Sequence, residues 1–388
     1  MPDENEIEEL DLSDIESDGD GTSEDPFAED PIGRSPNDII SRPFDPSQIR
    51  VETKPMVISL LLDRIRNGEI DLNPGFQREG GIWSTKAKSR LIESLLIRIP
   101  LPAFYMDGTD ESRWLVVDGL QRLTSLTEFV IKCNLRLRGL EFLSDYEGFT
   151  FTKLPRRLQR RILETQVTVF LIQEHTPPEV KFNIFKRINT GGLPLSTQEI
   201  RHALNQGPAA QMLEELANDP FFLEATRKGI PAKRMGDREC ILRFLAFTLT
   251  PPQNYRSYDM DAFLNDTMAT LNRMTDAERR EIMDQFRHSM KVNSVLWGEH
   301  AFRKRRFGSG RRSPINRALF EIWSVTINQL TAGDIKAIIG RREKLNEKML
   351  DAFTDVAFDA SISYGTGDSR KVKYRFQKAL TVVAETLQ

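Results

Sequence analysis

The sequence predicts an α+β module at about residues 47–206, followed by a mostly α-helical region at 207–388. Three observations support this fold class. In the first region, short apolar and β-branched runs alternate with segments of helical spacing. Beyond residue 207, nearly every segment has helical spacing. The chain of 388 residues is long enough for two domains, each with a core of its own.

Strands and helices are expected to alternate in the first region. Apolar, aromatic and β-branched residues, which are typical of buried strands, predict strands at 99–106, 113–119 and 166–172. Apolar residues at helical spacing predict helices at 56–70, 85–97, 120–130 and 178–188. We expect Ser84 to cap the second of these helices, and Ser196 with Glu199 to form a capping box for another helix.

The second region is predicted from helical spacing alone. Its clear segments are 210–217, 238–248, 261–274, 276–290, 315–329 and 332–351. No internal repeat interrupts them. This region therefore has the pattern of a helical domain.

The charge is unevenly distributed along the chain. The net charge is −3, but the first 30 residues hold 14 acidic and no basic residues, so the remainder carries +11. We expect residues 1–46 to be a disordered acidic tail. Two interpretations stay open: a solubilising leader, or an acidic arm that competes with nucleic acid for the basic remainder.

Composition also excludes several protein classes. No run approaches the ~20 apolar residues of a membrane-spanning helix, so no membrane association is expected. Cys133 and Cys240 are too few and too far apart for a zinc ribbon or a disulfide framework, and no other metal site is predicted. An acidic N-terminus is unlike a targeting peptide, so we expect a cytoplasmic protein.

The segment 118–122, Asp-Gly-Leu-Gln-Arg, is the most informative for chemistry. A strand ends there, a glycine turns the chain, and a helix begins with free backbone N–H groups that favour anions. Arg122 would add a cation for phosphate, and Gln121 would reach a base, a sugar or an attacking water. The alternative is a surface turn whose arginine pairs with a nearby carboxylate.

Two glycine-containing turns are further candidates. The loop 75–83 contains Gln77, Arg78 and two adjacent glycines that permit close approach of a ligand. The segment 185–192 ends a helix and contains Arg187 and Asn189 beside a glycine pair. The alternative for that segment is ordinary helix capping, with the asparagine satisfying backbone groups of the turn.

In this order and spacing, the three segments resemble the DGQQR-motif domain at the N-terminus of GmrSD-type modification-dependent restriction proteins, within the ParB/sulfiredoxin-like superfamily. The resemblance extends over roughly residues 50–378. It implies a ParB-like α+β fold that binds and hydrolyses a nucleoside triphosphate (NTP), with Mg²⁺. The implied catalytic residues are Asp118, Gln121 and Arg122; the implied nucleotide-binding residues are Gln77, Arg78, Gly119, Arg187 and Asn189. The sequence departs from the family at Leu120, where glutamine is usual.

Other chemistry has little support in the sequence. The chain has no Gly-Lys pair and hence no P-loop. Many relatives carry an HNH nuclease domain, but the four histidines here, at 175, 202, 288 and 300, are scattered and lack ligand spacing. A separate nuclease or defence subunit is therefore an expected partner, and an oligomer is compatible with the sequence.

Two basic clusters are candidates for contact with DNA. One lies at 156–161; the other consists of Arg303, Lys304, Arg305, Arg306, Arg311 and Arg312. The alternative for the second cluster is a solvated loop. Together with the resemblance, these clusters predict a nucleotide-binding, DNA-associated protein of a prokaryotic defence or genome-maintenance system. The competing hypothesis is a regulatory DNA-binding module of the same fold that has lost hydrolysis through Leu120.

Overall fold

A computed structural model describes residues 50–72, 83–188, 195–256, 259–305 and 312–388. The chain divides into two compact units, and the division falls between Gln206 and Gly207. The expected acidic tail at 1–46 lies outside the described residues. The architecture is α+β, as the sequence predicts: a small mixed sheet with helices in the first unit, and helices in the second.

The sheet of the first unit has five strands. They are β1 Val51–Val57, β2 Ile70–Asp71, β3 Phe104–Asp107, β4 Trp114–Asp118 and β5 Gln166–Ile172, in the spatial order β1-β5-β3-β4-β2. The pairs β1–β5 and β3–β4 are antiparallel, whereas β3–β5 and β2–β4 are parallel. Because neighbouring residues of a strand point to opposite faces, Val116 and Val117 contribute to two different cores.

Helices cover both faces of this sheet. They are α1 Ile58–Arg66, α2 Thr85–Leu96, α3 Leu120–Leu126 continued by a π-helical turn Thr127–Ile131, α4 Arg156–Leu163, α5 Pro178–Ile188 and α6 Thr197–Leu204. The larger core contains side chains of α1 to α4 and the face with Phe104 and Val116. The smaller core places Phe182 and Phe185 of α5 with Val117 and Ile172 of the sheet.

Two local predictions for this unit need correction. The helix expected at 56–70 begins only at Ile58, because residues 51–57 pair with β5 as an edge strand that tolerates Pro55. The strand expected from 99 begins at Phe104, after two prolines. The basic run at 156–161 lies in α4, whose Leu158 and Ile162 are buried one turn apart.

The second unit is helical and has one continuous core. Its helices are α7 Pro208–Ala217, α8 Pro220–Thr226, α9 Gly236–Leu249, α10 Met260–Arg273, α11 Asp276–Trp297, α12 Arg317–Gln329, α13 Ala332–Gly340, α14 Arg342–Ala352, α15 Val356–Ser363 and α16 Ser369–Leu387. The single helix expected at 332–351 is two helices, because Arg341 between them leaves helical geometry. Among the described helices, none combines the length and the apolar character that crossing a membrane requires.

Candidate functional site

The corner between β4 and α3 is built around a glycine. Gly119 has a φ of 102°, a region that favours glycine, and it is the N-cap of α3. A Cβ atom at this position would collide with the ring of Phe104. The turn and the packing both require glycine here, whether or not a ligand approaches it.

Arg122 is buried beneath this corner, with 8% of its surface exposed. Its Nη1 donates to the carbonyl of Pro102, and its Nη2 donates to the carbonyl of Ala103 (3.0 Å) and to Oδ2 of Asp118 (2.9 Å). The guanidinium also lies over the Phe104 ring, 4.4 Å from its centroid. Burial lowers the pKa of Arg122, and the Asp118 carboxylate opposes that shift.

These contacts do not test whether Arg122 meets a phosphate when a ligand is bound, so that role stays a prediction. Both of its terminal nitrogens already donate to groups of the domain, so the arginine ties the entry of β3 to the end of β4. This is the alternative that the sequence left open, an arginine paired with a nearby carboxylate. The same geometry leaves the Asp118 side chain 27% exposed, with only one of its oxygens engaged by Arg122.

Gln121 connects the corner to the second motif. Its Oε1 accepts a hydrogen bond of 3.2 Å from the backbone N–H of Trp83, 38 positions earlier. Trp83 is the first described residue after the loop that contains Gln77 and Arg78, and those two residues lie outside the described part. Since β2 runs parallel to β4, the chain leaves β2 in the direction of the end of β4 where Asp118 lies.

The third motif follows α5. Lys181 of this helix lies 3.4 Å from the carboxylate of Asp107, at the opposite end of the sheet from Asp118. Phe185, one turn later, shares a core with Val117, the neighbour of Asp118. The helix therefore runs toward the corner and carries an exposed Arg187 in its last turn; Asn189 lies outside the described residues.

Leu120, the departure from the family motif, is half-buried and packs against the larger core of the unit. Its side chain therefore continues the apolar face of α3. The family's glutamine at this position is not needed for the corner to form in this chain.

Arg303 of the second basic cluster does not face solvent. It is only 5% exposed, and it donates to the carbonyls of Ser313 (2.7 Å) and Thr226 (3.2 Å). Burial, together with repulsion from Arg312, lowers the pKa of Arg303 to about 10. The N–H groups of Arg303 therefore satisfy carbonyls of the protein itself, and its expected contact with DNA stays a prediction.

The neighbours of Arg303 are partly engaged as well. Lys304 donates to the carboxylate of Asp359 (2.8 Å), and Arg305 donates to the amide oxygen of Asn346 (2.5 Å). Arg312 is exposed. The predicted contacts Arg306 and Arg311 lie outside the described residues.

A polar groove beside α2 escaped the sequence analysis. It has a volume of about 450 Å³ and is lined by Thr85, Lys88, Glu128, Asn134, Leu135, Arg136 and Arg138. The available signal was the alternation Leu-Arg-Leu-Arg at 135–138, which buries the leucines and exposes the arginines. Over the described residues, no group of three or more His, Cys, Asp or Glu side chains is arranged to hold a metal ion.

Comparison with known proteins identifies the first unit. Residues 58–205 match the family model described as the N-terminal domain of the GmrSD restriction endonuclease. No curated protein matches the chain. The matched residues run from α1 to α6 and include strands β2 to β5 and the corner at Asp118. Residues 58–205 therefore form a GmrSD-type N-terminal domain, which indicates a restriction-system protein.

Proposed function

We propose that this domain binds a nucleoside triphosphate with Mg²⁺ at the corner where β4 ends, and that the protein is a DNA-associated component of a restriction system. The observation that carries the proposal is the hydrogen bond from Trp83 to Gln121. It joins the Asp118 corner to Trp83, the residue that follows the glycine-containing loop in the chain, and the resemblance assigns residues of both segments to the nucleotide.

The groups at the corner partly fit such a ligand. Within the described residues, the second carboxylate oxygen of Asp118 and the amide nitrogen of Gln121 have no protein partner. A carboxylate oxygen is a ligand that Mg²⁺ prefers, and an amide N–H donates to a phosphate oxygen. Asp118 would hold the metal and Gln121 would orient the phosphates.

One observation favours binding without hydrolysis as the second candidate. An arginine that stabilises charge during phosphoryl transfer needs free N–H donors at the phosphate. The terminal nitrogens of Arg122 donate instead to Pro102, Ala103 and Asp118. In this alternative the nucleotide is a regulatory ligand, and Arg122 is a positioning residue.

Replacing Gln121 with glutamate tests the site with little disturbance of the fold. The carboxylate keeps an acceptor for the Trp83 N–H but loses the amide donor and repels phosphate. We expect the affinity for the nucleotide to fall at least ten-fold, roughly the worth of one charge-assisted contact. Isothermal titration calorimetry with Mg-ATP and Mg-GTP measures this, and Gln377→Glu at an exposed position of α16 is the matched control.

Two results would contradict the proposal: no binding of either nucleotide to the unmodified chain, or equal affinity of Gln121→Glu and the unmodified chain. Phosphate release, measured with and without DNA, then separates the two candidates. Turnover that DNA stimulates supports the NTPase, whereas binding without turnover supports the regulatory module.

A further inference from the structure

The groove beside α2 is formed by three parts of the first unit. Thr85 and Lys88 come from the first turns of α2, and Arg136 and Arg138 come from the segment at 134–138. We call this feature the α2 groove. Glu128, from the π-helical turn, also lines it.

The segment that carries the two arginines is held firmly in place. Leu137 is fully buried; its N–H donates to the carbonyl of Phe149, and its carbonyl accepts from Gly148. The backbone N–H of Arg138 donates to Oγ of the buried Ser89 on α2 (2.9 Å). Arg136 and Arg138 therefore project from an anchored backbone, which lowers the entropy cost of holding a ligand.

The positive charges that line the groove outnumber the negative ones. The Lys88 ammonium is buried and lies 2.7 Å from the carboxylate of Glu128, so these two charges offset each other. Arg136 and Arg138 are exposed, and no carboxylate within the described residues pairs with either side chain. The groove thus presents two uncompensated guanidinium groups to solvent.

A third cation lies beside them. The methylene chain of Lys86 packs against Gly139, since a Cβ atom there would approach Cγ of Lys86 to 3.0 Å. Lys86 is exposed, and no ion pair holds it among the described residues. Its ammonium therefore adds to the positive field at the rim of the α2 groove.

We propose that the α2 groove binds consecutive phosphates of a DNA strand. Arg136 and Arg138 occupy alternate positions of a chain segment whose side chains alternate between buried and exposed. Each phosphate along a DNA strand carries one negative charge, so two guanidinium groups on one short segment can contact neighbouring phosphates. Guanidinium groups match phosphate oxygens in geometry and charge.

The same lining argues against recognition of bases. Among the described residues that line the groove, Leu135 is the one apolar side chain and none is aromatic. A base would need a stacking surface or a set of groups aimed at its edge. The α2 groove would therefore position DNA without reading its sequence. This inference rests on the DNA association in the proposed function, but not on nucleotide binding at the corner.

The test uses the full chain and a fluorescently labelled DNA duplex in anisotropy titrations over a salt series. The double variant Arg136→Gln/Arg138→Gln removes both guanidinium groups from exposed positions. We expect its affinity for DNA at low salt to fall at least about ten-fold. The slope of log K against log salt should become shallower by about 1.8, the value for two lost phosphate contacts.

The matched control is Arg98→Gln/Lys153→Gln, which removes the same charge from exposed positions of the same unit outside the α2 groove and outside both basic clusters. We expect it to bind DNA nearly as the unmodified chain does. The proposal is overturned if the groove variant keeps its DNA affinity, or if both variants lose affinity equally through a general charge effect.

Titration of the same variants with Mg-ATP and Mg-GTP separates this inference from the proposed function. The groove variant should keep whatever nucleotide affinity the unmodified chain has. A loss of nucleotide affinity with DNA affinity unchanged would assign the groove to the nucleotide and overturn the inference. A chain that binds nucleotide but no DNA would overturn it while nucleotide binding at the corner stands.

Discussion

Arg122 is expected to be required for the fold of the Asp118 corner, and Arg122→Ala tests this directly. Alanine removes the donors to Pro102 and Ala103, the ion pair with Asp118 and the contact with the Phe104 ring. Each buried carbonyl left without a donor costs about 1–3 kcal/mol. The lost contact with the ring adds about 1 kcal/mol.

Together these losses predict a decrease of about 3–7 kcal/mol in the local free energy of opening. The chain contains two compact units, so a single unfolding free energy would not isolate this effect. Hydrogen exchange with mass spectrometry does isolate it, through peptides that span residues 101–126.

The matched control is Arg160→Ala. Arg160 forms an ion pair with Glu164, but both side chains are more than 60% exposed, so we expect no change in protection. The reasoning about Arg122 is refuted if Arg122→Ala exchanges as slowly as the unmodified chain across these peptides. In that case the arginine would be available for a phosphate after all.

Two further predictions concern neighbouring positions. Leu120→Gln should lower the melting temperature, because an amide without a partner would replace a side chain that packs on the core. The expected cost is about 1–2 kcal/mol. A variant of unchanged stability with higher nucleotide turnover would contradict this packing role. Burial raises the pKa of Glu93, but hydrogen bonds from the backbone N–H groups of residues 141–143 outweigh it, so the pKa is held below its ordinary value. The ionised carboxylate therefore stabilises the fold above the ordinary pKa of about 4.3, and that stability is lost as the pH falls through the lowered pKa. Melting curves should show the unmodified chain more stable than Glu93→Gln at pH 7 and the difference shrinking below about pH 4; a constant difference would contradict the assignment.

The elements predicted most accurately are those that depend on neighbouring residues. Strand β5 and helix α5 occur at the bounds that the sequence predicts, 166–172 and 178–188. The N-cap at Ser84 and the capping box of Ser196 with Glu199 are confirmed, since a cap joins groups only two or three residues apart. The α+β class follows from the same local periodicities.

The roles of the candidate side chains depend on partners that are distant in sequence. Arg122 is engaged by carbonyls some twenty positions earlier, and Gln121 by the N–H of Trp83, 38 positions away. A residue type in a sequence motif indicates that a guanidinium or an amide is present, but not whether that group already forms hydrogen bonds within the protein.

The same reason explains the buried charges of the helical unit. Glu321 is fully buried and accepts hydrogen bonds from Arg243, 78 positions earlier, and from Arg375, 54 positions later. In sequence each of these residues resembles an ordinary surface charge. The sequence by itself determined the α+β class, the capped helices and the motif resemblance, because these depend on local patterns and residue identity. Only the tertiary structure decided which charged groups are paired in the interior and which, like Arg136 and Arg138, face solvent, because a buried charge must find its partner wherever the packing of the chain places one.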